Sequence, residues 1–208
     1  MFLKYLPVKT GKKVSMNSKL KEQELLDAAR RGDHEAFKEF IRLHEHRVAR
    51  TVMSMLGHCP EAEDVGQETF IRFYKSLDRF RGDSSVATYL TRIAINLSLN
   101  ELKRRGRKEK FFFSGPGSRS EEDPLDRLPG KNPGTETLEA KGIVRYGIRK
   151  LKPEFRAVIV LRLIEGYSTG ETANILKLPK GTVLSRLSRG QIKLREILKP
   201  FLGGETCP

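Results

Sequence analysis

The chain has 208 residues, 38% hydrophobic and 32% charged, which suits one or two small domains with real cores and argues against a wholly disordered chain. Forty Lys and Arg against 26 Asp and Glu give a formal net charge of +14, so a polyanion is the first partner to consider. No apolar run reaches the roughly 18 residues of a membrane-spanning helix. Cys59 and Cys207 stand apart with no Cys/His ladder, which excludes a disulfide framework and the usual zinc patterns and suits a reducing cytosol.

Residues 1–17 carry four lysines and no acid. Lys4 and Pro7 interrupt the opening apolar stretch, so it is no signal peptide. This segment is expected to be a basic extension outside the fold, or to precede the true start at Val14 or Met16. The first domain is expected over residues 18–108. Ala36, Phe37, Phe40 and Ile41 open an apolar stripe that continues to Val48 and Val52, a helical period. Val65, Thr69, Phe73, Leu77 and Phe80 recur at near-fourfold spacing and predict a second long helix. Beyond the RGDSS loop, Val86, Leu90, Ile93 and Leu97 predict a third, capped by Ser84 or Ser85.

Asp64, Gln67 and Glu68 lie at i, i+3 and i+4, opposite the Val65–Thr69–Phe73 stripe. With no His or third carboxylate at ligand spacing they are no metal or acid/base site, and a protein-docking face is the better reading, ahead of a merely solvated one. On the third helix Asn96, Asn100, Lys103, Arg104 and Arg107 share one side, with Ile93 and Leu97 placed on the other. Amides and cations on one face suit base edges and phosphates together. Phe80 and Tyr89 flank the loop, where stacking on unpaired bases and packing in the core are both open for Phe80.

Residues 114–134 hold four Gly, four Pro and three Ser in 21 positions, a composition that cannot bury a face and reads as a flexible linker, taken as residues 109–139. A second domain is expected over 140–202, followed by a tail at 203–208. Residues 143–208 hold 13 basic and five acidic side chains, the strongest local excess in the chain. Ile143 to Leu151 and Phe155 to Leu163 form two helical segments, and Thr169–Leu176 and Gly181–Leu198 form two more.

The last pair, joined by a short turn at Lys177–Lys180, has the layout of a helix-turn-helix. Ala173 permits close crossing, while Ile175, Leu176, Val183 and Leu187 pack inward. Gly181, Thr182, Ser185, Arg186, Arg189 and Lys193 are the candidate DNA contacts of the second helix. Its free N-terminal N–H groups suit a phosphate. Lys177 falls where the turn favours a residue with positive φ. Nothing alternates with period two for long, so the fold class is all-α: two small helical domains on a tether.

Joint presence of DVGQETF, FRGDSSVATYLTRIAIN, LKPEFRAVIVLRLIEGYS and KGTVLSRLSRG, in that order around a linker, resembles the extracytoplasmic-function (ECF, group IV) sigma factors of the sigma-70 superfamily. The likeness runs from about Ala28 to Arg105 and from about Leu151 to Leu198. It implies an initiation subunit of bacterial RNA polymerase that is cytoplasmic, has no catalytic residue, metal or cofactor, and is not inserted in a membrane. The first domain would then dock on the polymerase β′ subunit through Asp64, Gln67 and Glu68. It would also open the −10 promoter element, holding a flipped base among Ser76, Phe80, Ile93 and Asn96 beneath the loop Arg81–Val86, with Asn100, Lys103 and Arg104 on the strand. Capture of an extruded base offsets the few kcal/mol of unstacking, so melting needs no ATP. The second domain would read the −35 element and contact the β subunit.

Control by an anti-sigma factor is the further implication. Three departures stand out. Leu184 occupies a position where the family usually places Lys or Arg, Ser188 replaces a commonly larger residue, and Tyr89 stands where Trp is frequent. The −35 sequence is therefore expected to differ from that of well-studied relatives. The competing reading is a stand-alone helix-turn-helix regulator with a dimerising or sensing N-terminal domain; it would bind duplex operator alone, whereas a sigma factor usually needs core enzyme.

Overall fold

The computed structural model describes residues 16–80, 82–112 and 136–201. The basic extension up to Ser15, Arg81 of the expected lid, most of the expected linker and the tail with Cys207 lie outside the described residues. Among the described residues there are eight α-helices and no strand. Helices α1 (Met16–Arg30), α2 (His34–Leu56), α3 (Pro60–Lys75) and α4 (Val86–Phe112) form the first bundle. Helices α5 (Glu136–Lys150), α6 (Pro153–Ile159), α7 (Thr169–Leu176) and α8 (Lys180–Leu198) form the second.

Each boundary has a local cause. The Asp33 carboxylate accepts the Ala36 N–H at 3.0 Å and starts α2. Gly57, at φ +85°, ends it in a conformation that an L side chain resists, and an added Cβ would come within 3.0 Å of the Arg149 side chain. Pro60 opens α3. The apolar period of α3 outruns the helix itself: Ser76 Oγ donates to the Phe73 carbonyl at 2.9 Å, and the chain tightens into a 3₁₀ turn at Leu77–Arg79. Leu77 is buried from that turn, so the stripe continues in space after the helix has stopped. Of the two candidate serines, Ser85 caps α4, accepting the Thr88 N–H at 3.1 Å.

The first core centres on Phe40, Phe73, Leu90 and Ile95, each fully buried. Phe40 stacks on Phe73 at 5.1 Å between centroids. In the second bundle Val158, Ala173 and Val183 form the small apolar nucleus at which α6, α7 and α8 meet. Burying groups of that size contributes about 1–3 kcal/mol each.

The two bundles do not stand apart. After α6 the chain takes one π turn at Val160–Ile164, closed by Glu165 N–H to Val160 carbonyl at 2.9 Å. That turn delivers Glu165 to α2. Its carboxylate is fully buried and accepts both Arg50 Nε at 3.1 Å and Arg50 Nη2 at 2.6 Å, with the Thr51 hydroxyl at 3.1 Å. Arg156, also buried, donates to the Met55 carbonyl at 2.6 Å and to the Leu151 carbonyl at 3.1 Å, and further to the Arg149 carbonyl. One guanidinium thus caps the C-terminal ends of α2 and α5, where the helix dipoles are negative. Tyr167 Oη donates to Thr91 Oγ1 at 3.0 Å from inside the same seam. A tether reading alone does not anticipate this packing, because its partners are 76 to 115 residues apart in sequence.

Candidate functional site

Helix α3 presents the acidic and amide set as expected. Asp64 and Gln67 are exposed, and Glu68 is half-buried in an ion pair with Arg72 at 2.7 Å. Thr69 and Phe73 on the opposite side are fully buried. The sequence reading missed what lies beside this face. Phe37 and Ile41 of α2 and Phe70, Ile71 and Tyr74 of α3 line a nearly wholly apolar groove that Gln67 borders. Ile71 is 46% exposed although it lies one turn from Gln67. A polar rim over exposed apolar surface is the usual anatomy of a protein interface. An isoleucine off the main stripe, at i+4 from Gln67, was the signal available in the sequence.

The candidate base pocket gathers at the junction of α3 and α4. Ser76 Oγ lies 3.4 Å from the Tyr89 hydroxyl, and Phe80 packs edge-on against Phe73 at 5.8 Å and Tyr89 at 5.1 Å. Phe80 is half-buried, so it both closes the core and faces outward. Arg92 lies over the Tyr89 ring at 4.6 Å, a cation–π contact. The Ile93 expectation needs refining. It is half-buried at the edge of the stripe, packed against the core on the side of Leu97 and three residues from the exposed Asn96 on the other, so the two faces are less cleanly opposed than expected. Asn96, Asn100, Lys103 and Arg104 are exposed along α4. Arg104 is already engaged by Glu101, through Nε at 2.7 Å and Nη2 at 2.8 Å. That hydrogen bond leads the causes that hold the Glu101 carboxyl below its ordinary range.

Asp83, Ser85 and Thr88 at the start of α4, together with Glu171 and Asn174 of α7, border a cavity of ≈340 Å³ between the bundles. In this arrangement the described part of the loop at 82–86 lies beside the helix-turn-helix.

The helix-turn-helix geometry is complete. Ser168 and Glu171 form a reciprocal capping box on α7, with Glu171 N–H to Ser168 Oγ at 3.2 Å and Ser168 N–H to Glu171 Oε2 at 2.8 Å. Those bonds hold the Glu171 carboxyl below its usual range. Lys177 closes α7 at φ +53°, ψ +49°, the left-handed conformation its place in the turn demands. Helix α8 starts at Pro179, which supplies no side-chain cap, so its first N–H groups remain available to an anion.

Gly181, Ser185, Arg189 and Lys193 are exposed as expected. Thr182 and Arg186 are half-buried, set on the flank of the helix because they sit one residue before and three after the buried Val183. Leu184 and Ser188 complete the exposed surface of the first turns.

Residues 40–108 match the Sigma-70 region 2 family and residues 147–196 the Sigma-70, region 4 family. The chain is 32% identical over 190 residues to the RNA polymerase sigma-H factor of Pseudomonas aeruginosa, covering 87% of this chain and 95% of that one. It is 31% identical over 176 residues to the ECF RNA polymerase sigma factor SigW of Bacillus subtilis, covering 82% and 92%. Against the ECF RNA polymerase sigma-E factor of Escherichia coli it is 32% identical over 197 residues, covering 90% and 99%. Among solved structures it resembles CnrH in complex with the cytosolic domain of CnrY, with a TM-score of 0.58 at 25% identity over 86% of this chain and 98% of that one. A TM-score of 0.58 is also found with the sigma factor RpoE in complex with the anti-sigma factor NepR from Bartonella quintana; at 23% identity over 78% of this chain and 96% of that one, this likeness concerns the fold. With both family matches in place and relatives 31% and 32% identical over most of their own length, the chain belongs to the ECF RNA polymerase sigma factors, the initiation subunits that bring core RNA polymerase to promoter DNA.

Proposed function

We propose that the three surfaces divide the work of initiation. Helix α3 docks core polymerase through Asp64, Gln67 and Glu68 at the rim and Ile71 and Tyr74 in the groove. The α3/α4 junction takes a flipped base of the −10 element between Ser76, Phe80, Ile93 and Asn96, while Asn100, Lys103 and Arg104 follow the strand. Helix α8 reads the −35 element with Gly181, Thr182, Ser185, Arg186 and Arg189, and Lys193 lies further along for phosphate. The domains performing these tasks correspond to residues 18–108 and 140–202.

The observation that carries this reading is the start of α8: an uncapped helix N-terminus and an exposed face with Arg189 and Lys193, held by a capped α7 and a left-handed turn. Cations at these positions neutralise phosphates and set register, while base edges supply specificity. Melting by base capture requires no hydrolysis, so the protein works without catalytic residues of its own, in the cytoplasm where its polymerase is. CnrH and RpoE are described bound to partners, for RpoE an anti-sigma factor, and a partner of that kind is proposed for this chain.

The test is run-off transcription on fragmented genomic DNA, using core RNA polymerase of a related bacterium with and without the protein. New discrete transcripts that need the protein are the expected result. No transcripts and no co-purification with core enzyme would overturn the reading.

A further inference from the structure

We propose that Leu184 is a specificity-determining residue that selects a thymine in the −35 element by packing against its C5-methyl group in the major groove; the proposal rests on the reading of α8 as the −35 helix. Leu184 is 54% exposed on the second turn of α8, next to Val183, which is fully buried and does the packing for this part of the helix. The fold therefore does not use the Leu184 side chain. Helix propensity does not require it either, since Lys or Arg would serve equally well.

Two of its neighbours on the same face are small, Gly181 one turn before it and Ser188 one turn after, while the Lys180 side chain extends toward Gly170 of α7. Gly181 has no strained backbone, and a Cβ placed there would meet nothing within 4 Å. Neither conformation nor packing calls for a glycine at a position where it weakens a helix. What the missing side chain does provide is close approach, so the start of α8 can sit deep against a groove. Leu184 then projects beyond Gly181 and Ser188.

The polar capacity of this surface is largely defined. Ser185 Oγ donates to the Thr182 carbonyl at 3.0 Å, so towards a ligand its hydroxyl offers lone pairs. Arg189 offers donors. Leu184 offers neither, and in the major groove the one apolar feature of a base pair is the thymine methyl. A lysine or arginine at this position would seek guanine or phosphate; a leucine rewards a methyl group.

The experiment uses the holoenzyme, full chain plus core polymerase, on a promoter obtained from the run-off assay. Each −35 thymine, on either strand, is replaced singly by deoxyuridine, which removes the methyl group and leaves every hydrogen-bonding group in place. With the wild-type protein, one position is expected to lose about fourfold in promoter affinity, the worth of one buried methyl-sized group. Leu184→Ala, a change at an exposed site that leaves the core intact, is expected to abolish the effect at that position alone, as coupled partners do in a double-mutant cycle. Identical deoxyuridine profiles for wild type and Leu184→Ala, or a −35 element without thymine on either strand, would overturn the assignment while leaving the helix as the −35 reader. Protein-dependent transcription that is indifferent to the whole −35 sequence would overturn both.

Discussion

Removing Arg50 should cost more than removing its partner Glu165, and that asymmetry is the sharpest test of the seam between the bundles. Glu165 is fully buried, held by two guanidinium bonds at 3.1 and 2.6 Å and one hydroxyl bond at 3.1 Å. The Arg50 side chain is 37% exposed, so water screens its end of the pair. Arg50→Ala strands a carboxylate in the interior, its two guanidinium bonds lost and the Thr51 hydroxyl bond retained. Breaking a fully buried pair this way costs about 3–5 kcal/mol, and the partial exposure here reduces it to about 2–4 kcal/mol. Glu165→Ala removes the buried charge and leaves a guanidinium that already reaches solvent, so its cost should be about 1–2 kcal/mol.

The double variant should then resemble Glu165→Ala alone, since the stranded charge is gone in both. The hydrogen bond that Arg50 donates to Glu165 is the main cause that raises the Arg50 pKa above its ordinary value, so that side of the pair stays charged throughout. Urea unfolding of the three variants at pH 7 checks the order. Three variants within about 0.5 kcal/mol of wild type would refute the argument, because they would mean that the pair, and with it the packing of the π turn on α2, is not buried in solution.

Asp64→Ala combined with Gln67→Ala should weaken binding to core polymerase while leaving the unfolding curve unchanged, as both side chains are exposed; an unaltered titration with core enzyme would remove α3 as the docking face. Ser168→Ala should destabilise the second bundle by about 1 kcal/mol by opening the capping box on α7. Because the folded Glu171 carboxyl is held below its unfolded value, its contribution is complete above about pH 5 and is lost as the pH falls through the folded value. The gap between wild type and Glu171→Gln in thermal unfolding should close on acidification, and a gap independent of pH would refute the linkage. Asn96→Ala should change base preference at the melted −10 position in open-complex assays, and an unchanged preference would argue against the pocket at the α3/α4 junction.

What was legible in the sequence was whatever depends on neighbours within a turn or two. The Phe40, Val48 and Val52 spacing described the buried side of α2, and the Asp64, Gln67 and Glu68 spacing described an exposed side of α3 correctly. Lys177 could be placed in a left-handed turn because the helix-turn-helix leaves that position no other conformation, and it has φ +53°. Where the reading went astray, the cause was a change of period. The stripe of α3 continues through Leu77 although the helix does not, since a 3₁₀ turn keeps side chains on one side with a different count of residues. Ile93 packs against the core as expected but only from the margin: a stripe that buries Leu90 and Leu97 leaves Ile93 half-buried at its edge, beside the amide face.

The seam between the bundles had no local signature at all, and its residues show why. Glu165 reads as one acid in a loop-like EGYS stretch, and Arg50 as one more cation at the end of an amphipathic helix. Neither is unusual until the π turn places the first against the second. Arg156 looks like a surface arginine in PEFRAVIV, yet it is buried because the carbonyls of Met55, Arg149 and Leu151 converge on it. Carbonyl groups carry no sequence identity, so a guanidinium that caps two helix ends from two bundles cannot be found from residue types. The proposed base-reading surface is different in kind. Its residues are chosen for a ligand outside the chain, so the fold leaves them under-determined: a glycine with open space around it and a leucine in water. Such residues make poor structural sense, and on the reading proposed for α8 that is where the chain's particular promoter would be written.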